Sequence, residues 1–167
     1  MSKLTALQKK TLLLFTSGAD KLEKAVTGLS EKELDYSLTS GEWTIRQIVH
    51  HVSEDGDAWS MVFKKALATP GVPIRPGGFP GNEVWASALA FDKRPIQAAL
   101  SLLKSHRSII AELAVYFPGT WEHYVTYPDS QGKETKSISI GQIIRMLTEH
   151  LSEHLATIEV IKRQYKL

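Results

Sequence analysis

Two histidines four residues apart, His150 and His154 in the stretch TEHLSEHLATIEV, interrupt what is otherwise the apolar stripe of a helix. Positions i and i+4 of a helix lie about 40° apart around the axis, with Cβ atoms about 6 Å from one another. Both imidazoles therefore point the same way and can share one divalent ion. A single histidine on an apolar face is more often a core residue with one hydrogen bond. Two of them raise the stakes, because an unsatisfied buried nitrogen costs about 1–3 kcal/mol. Something polar must meet the pair, and a metal site needs at least one more ligand.

A second pair, His50 and His51 in QIVHHVSED, offers that ligand. Adjacent helical residues point about 100° apart, so at most one of the two faces any given centre. Taken alone, the pair reads as one buried and one surface histidine. His51 lies about 60° around the axis from the apolar Ile48, whereas His50 lies towards the opposite side, near the boundary of the buried arc, and the angles alone do not decide between them. The set His51, His150 and His154 matches a three-histidine site with an open position.

These side chains need helices to hold them. From Ile140 the apolar residues Ile143, Ile144, Leu147, Leu151, Leu155, Ile158 and Ile161 keep helical spacing, and Ser139-Ile140-Gly141-Gln142 fits a capping box at its start. Thr44-Ile45-Arg46-Gln47 is another capping box, predicting a helix from Thr44 to about Ala68. A further helix is predicted over Leu4–Val26, stopped by Gly28, with a short turn at SEKELDYSL. Residues 69–81, rich in proline and glycine, exclude helix and central strand and read as an ordered loop or a lid. NEVWASALA suggests a short helix, and Pro95 is placed in the first turn of a long helix running to Leu113 or Val115. The β-branched and aromatic residues around DSQGK predict a small hairpin before the last helix. The expected fold is all-α: a four-helix bundle in one domain over residues 1–167, with that hairpin or an irregular insertion before its last helix.

Composition narrows the chemistry. The 167 residues contain no cysteine, so disulfides, thiolate metal sites and a cysteine nucleophile are excluded, and a metal must be held by histidine and oxygen. Twenty basic against 18 acidic residues give a net charge of +2, without the broad basic footprint of a nucleic-acid protein. With no apolar run of membrane-spanning length, the expectation is a cytoplasmic protein that binds neither nucleic acid nor membrane.

Three stretches carry a resemblance: G-E-W-T-I-R-Q-I-V-H-H-V at 41–52, I-R-P at 74–76 upstream of Trp85, and H-x-x-x-H-L-A-x-I at 150–158. Together they resemble the DinB superfamily, and within it the YfiT-like branch of metal-dependent hydrolases, over nearly the whole chain. The resemblance implies a four-helix bundle holding one divalent ion, nickel or zinc, on His51, His150 and His154, with water at the open positions. It also implies a small-molecule substrate and a homodimer. The acidic stretch Ser53-Glu54-Asp55-Gly56-Asp57 departs from the family pattern.

Three neutral imidazoles leave the double charge of such an ion uncompensated, which suits activation of water against an ester or amide and equally the binding of a thiol as its thiolate. The alternative is delivery of a low-molecular-weight thiol, of the bacillithiol type, to an electrophile, as relatives in the superfamily do. A non-catalytic metal-binding stress protein is the third reading. His150-Leu151-Ser152-Glu153-His154 also spells the inverted zinc-protease motif. That motif needs an acidic ligand downstream, and the sole candidate, Glu159, lies about 140° from His154 around the helix. Glu153 is accordingly assigned to a solvated face. His106 and His123 read as structural or exposed, Trp43 as a core anchor, Arg75 as a surface residue with an anion-binding alternative, and Asp55 and Asp57 as a solvated acidic cluster with an outer-shell alternative.

Overall fold

The computed structural model describes residues 3–74, 81–128 and 135–167. Four long helices dominate: α1 (Ala6–Val26), α3 (Ile45–Ala68), α5 (Gln97–Tyr116) and α6 (Ile140–Tyr165). Two short helices, α2 (Glu31–Leu34) and α4 (Asn82–Ala88), flank the N-terminal end of α3 and the approach to α5. Strands β1 (Tyr124–Pro128) and β2 (Thr135–Ser139) form an antiparallel pair with Tyr124 opposite Ser139 and Val125 opposite Ile138. The fold is therefore the expected helical bundle with a small hairpin before the last helix. No helix among the described residues is long and apolar enough to cross a membrane.

The helix starts follow their caps. Thr44 accepts from the Gln47 N–H while the Gln47 side chain accepts from the Thr44 N–H, and Ser139 with Gln142 does the same for α6. An equivalent box at Thr5 and Gln8 starts α1. Pro95 is not in the first turn of α5, which begins at Gln97. The preceding residues Phe91–Arg94 form a turn that closes on itself through the Ala90 carbonyl. Of the proline- and glycine-rich segment, Gly71–Ile74 runs beside β1, with Ile74 N–H donating to Thr126 O at 2.7 Å and Thr126 N–H to Val72 O at 3.0 Å. Pro73 sits in an isolated bridge there, an edge position that needs no N–H donor. Arg75 lies outside the described residues.

In cross-section α1 and α3 sit at opposite corners, each packed against both α5 and α6. The apolar stripes meet in the middle, where Phe15, Leu22, Ile45, Ile48, Leu103, Ile110, Ile144 and Leu151 are almost wholly buried. One charged side chain crosses this interior. Arg107 of α5 donates to Phe15 O at 2.5 Å and Leu147 O at 2.7 Å, tying α1, α5 and α6 together, and burial lowers its pKa to about 10. A Cβ at residue 18 would stand 2.9 Å from its Nη1, so the crossing requires Gly18. The α3/α6 seam that remains carries the histidines.

Candidate metal centre

α3 presents His51 and α6 presents His150 and His154 to one point. His51 Nε2 lies 3.0 Å from His150 Nε2, and His154 Nε2 lies 3.1 Å from the same atom. These three residues form the one group of metal-ligating side chains found among the described residues. A single imidazole nitrogen carries either one proton or one lone pair, so His150 Nε2 makes one good hydrogen bond and cannot serve both neighbours. A divalent cation accepts all three lone pairs at once. The donor set thus fits a metal of the zinc or nickel type bound by neutral imidazole.

The electrostatics agree. Burial, with the neighbouring His150 ring and outweighing the opposing pull of Asp55, lowers the pKa of His51 to about 4. His154 is lowered to about 4 for the same reasons, with the His51 ring adding to the effect. Both rings are neutral at physiological pH, the form that coordinates.

Neighbouring side chains aim the ligands. Asp55 Oδ2 stands 3.3 Å from His150 Nδ1, which places the proton on Nδ1 and leaves the Nε2 lone pair facing the centre. The side chain of Asp55 is only 20 % exposed, so it does not belong to a solvated acidic cluster; its position one turn after His51 turns it inward. Asp57, by contrast, is exposed. Trp43 packs its ring edge against His51 at 4.6 Å and donates Nε1–H to Glu83 of α4 at 2.7 Å. It is half-buried against the apolar core, as a core anchor would be, but it also braces a site residue.

His50 is buried rather than superficial, and it belongs elsewhere. Its Nε2 bonds the Arg94 carbonyl at 3.1 Å and its Nδ1 meets Arg94 Nη2 at 3.2 Å, so both nitrogens are used. Arg94 also pairs with Glu54. Arg46 of the same motif is buried and tied to Asp35 and Glu31, fastening α2 to α3. His106 is buried in the interior with neither nitrogen hydrogen-bonded. His123 is partly buried. Glu153 and Glu159 are exposed, as expected of a solvated face.

Two clefts open onto the centre, with Asp55 as their shared wall. The smaller, about 10 Å³, is lined by His51, Glu54, Asn82, Trp85 and Phe91 and holds about one water. The larger, about 310 Å³, is lined by Trp59, Met146, Glu149, His150 and Glu153. No lysine or arginine lines either among the described residues.

A helical bundle with a three-histidine cluster open to clefts on its flank defines a class of metal-dependent proteins. The DinB superfamily matches this chain over residues 14–158, and the chain belongs to that family. A protein of Oceanobacillus iheyensis named "Putative metal-dependent hydrolase" is 30% identical over 138 residues, covering 82% of this chain and 75% of its own. One of Bacillus mycoides with the same name is 30% identical over 146 residues, covering 87% and 79%. The fold matches that of YfiT from Bacillus subtilis, described as "a probable metal-dependent hydrolase with an unusual four-helix bundle topology". The TM-score is 0.84 at 21% identity, over 99% of this chain and 92% of that one. It also matches a mycothiol-dependent maleylpyruvate isomerase with a TM-score of 0.62 at 19% identity, over 90% of this chain and 60% of that one.

Proposed function

We propose that the protein binds one divalent ion, zinc or nickel, on His51, His150 and His154 and hydrolyses a small-molecule ester or amide in the cytoplasm. The observation that carries this reading is the meeting of three Nε2 atoms at 3.0 and 3.1 Å beside two open clefts. A divalent ion held by neutral ligands supplies Lewis acidity, lowering the pKa of water and polarising a substrate carbonyl. The chain's own residues do the rest. Asp55 fixes the tautomer and orientation of His150. Trp43, Trp85 and Phe91 crowd the His51 side and limit water there. The cleft between Trp59 and Met146 has the size of a small substrate's binding site.

A thiol S-transferase of the bacillithiol type is the second reading, favoured by the fold likeness to a mycothiol-dependent enzyme. A sugar-linked thiol calls for cationic and polar contacts near the metal, and among the described residues the clefts present carboxylates instead. A non-catalytic, closed metal site calls for a fourth ligand, and Asp55, the carboxylate in contact with the cluster, is engaged with His150 Nδ1.

The test is metal analysis of the purified full chain reconstituted with zinc or nickel, followed by a screen against esters and amides and against thiol-plus-electrophile pairs. Metal-dependent hydrolysis is the expected result. Turnover only with a thiol would replace hydrolysis by transfer, and absence of bound metal would overturn both.

A further inference from the structure

The larger of the two clefts beside the histidines is charged with one sign. Trp59 of α3 and Met146 of α6 give it apolar walls, His150 joins it to the metal centre, and Asp55, Glu149 and Glu153 complete its lining. At about 310 Å³ it takes a small organic group.

Two of its three carboxylates are without a counter-charge. Asp55 is engaged with His150 Nδ1, and Glu54 of the smaller cleft is paired with Arg94. Glu149 and Glu153 are exposed and belong to no ion pair among the described residues. They stand one turn apart on α6, each immediately before a histidine of the centre, so two like charges repel across one turn of helix. Arg145, one turn before Glu149, does not relieve them, because it lines a separate cleft with Glu122 and Tyr124. The chain carries a net charge of +2, yet among the described residues the charged side chains lining this cleft are all acidic. A cleft lined by one sign of charge concentrates ligands of the opposite sign.

The other walls decide which cation fits. A metal ion needs several donor atoms converging on a point, and among the described residues only the three histidines offer donor atoms that close together. An indole ring beside spread carboxylates suits an ammonium group, whose diffuse charge lies against the aromatic face while the carboxylates balance it. Because His150 is a wall of the same cleft, a cation held against Trp59 places the rest of its molecule beside the metal centre. The acidic residues thus belong to a cavity that opens on the converging lone pairs, and they set its charge.

We propose that this cleft binds the ammonium group of the substrate on Trp59, Glu149 and Glu153, so that the ester or amide hydrolysed is a cationic one. The proposal rests on the hydrolytic reading above for the reaction and on the cleft for the cation.

The test is a nuclear magnetic resonance titration of the zinc-reconstituted full chain with choline chloride and with its neutral isostere dimethylbutanol, at constant ionic strength. The indole N–H signal missing from Trp59→Phe identifies Trp59. That signal should move with choline, with an affinity about tenfold above that for dimethylbutanol. A Glu149→Gln, Glu153→Gln double variant should bind choline about fivefold more weakly and dimethylbutanol as before. Both positions are exposed, and unchanged helical circular dichroism establishes that the variant folds. A Trp59 signal that choline does not move, equal affinity for the two probes, or choline binding indifferent to the double variant overturns the proposal. A parallel titration after chelation of zinc separates this inference from the metal reading. If the chain holds no zinc, the metal reading fails while the two titrations agree and still report on the cleft. Choline binding confined to the chelated sample overturns the cation proposal, because the ion then repels the substrate it should act on. With acetylcholine and dimethylbutyl acetate as substrates, the cationic ester should have the higher kcat/KM, and a preference for the neutral ester overturns the proposal. Hydrolysis of neither speaks against the proposed reaction and leaves the titration to decide the cation.

Discussion

Four buried or half-buried histidines in this bundle behave alike by one measure and differently by another. His51, His154 and His106 all have pKa values lowered to about 4, in each case chiefly by burial, and His50 is lowered for the same reason. His51 and His154 nonetheless meet His150 at a common point beside open clefts, whereas His50 is saturated by Arg94 and His106 is packed against Gly56. A perturbed pKa thus reports the environment of an imidazole without reporting its use. What distinguishes the candidate centre is the convergence of lone pairs that no hydrogen-bond scheme can satisfy.

The largest effect should come from breaking that convergence. A His150→Ala, His154→Ala double variant should lose metal binding altogether by equilibrium dialysis with metal analysis, because a lone imidazole holds a divalent ion weakly. His51→Ala should weaken affinity far more than His50→Ala, whose ring has no free nitrogen to offer. His106→Leu should keep full stoichiometry. If His50→Ala costs the most, the ligand assignment on α3 is wrong.

Next in size is a stability effect at the other histidine. A Cβ at residue 56 would intrude on the His106 ring, 2.5 Å from Nε2, so Gly56→Ala must push α3 and α5 apart or turn the ring out. Overpacking of this kind costs about 1–3 kcal/mol, measurable as a lower denaturation midpoint. An unchanged midpoint would show that the His106 slot is loose. Asp55→Ala should weaken metal affinity by about 10–100-fold while leaving the fold intact, as expected for loss of a partner that orients a ligand. Equal affinity in Asp55→Ala would remove Asp55 from the site.

The sequence carried the helices and the ligand candidates because both are local. Capping boxes at Thr44 and Ser139 and the three-and-four spacing of isoleucines and leucines in α6 are readable within a few residues. What stayed hidden depends on partners far along the chain. His50 reads as superficial when only the apolar arc of its own helix is counted, yet Phe91 stacks on its ring and Arg94 covers it from more than 40 residues away. His106 sits among Lys104, Ser105, Arg107 and Ser108, a polar neighbourhood that suggests surface. The glycine that admits its ring is on another helix. Asp55 follows His51 by one turn of the same helix, but its contact with His150 appears only once α6 is docked. The Arg107 crossing gives no local signal, since Arg107 lies in the same polar stretch as His106.

The last effect, and the one that sharpens the comparison most, is the pH dependence of stability. A histidine whose folded pKa is about 4 and whose unfolded pKa is about 6.5 binds its proton more readily in the unfolded chain between those values. Its contribution is present in full above about pH 6.5, is lost as pH falls through that window, and falls no further below about 4. The slope is at most about 1.4 kcal/mol per pH unit for each such group. For the metal-free protein, His51, His154 and His106 all add to it, so stability should drop steeply between those limits. His106 faces Asp55 and Asp57 from α3, which oppose the shift, and has Arg107 beside it on its own helix, which reinforces it. His106→Leu should flatten the curve by about one histidine's share and leave the metal-dependent part of the stability unchanged. Added zinc should steepen the loss in wild type and His106→Leu alike, because protons then compete with the ion for its ligands. If His106→Leu leaves the acid limb of the metal-free curve as it was, His106 takes up its proton as readily in the folded chain as in the unfolded one. Burial would then not hold the ring neutral, and His106 would cease to be the inert counterpart of the three converging histidines.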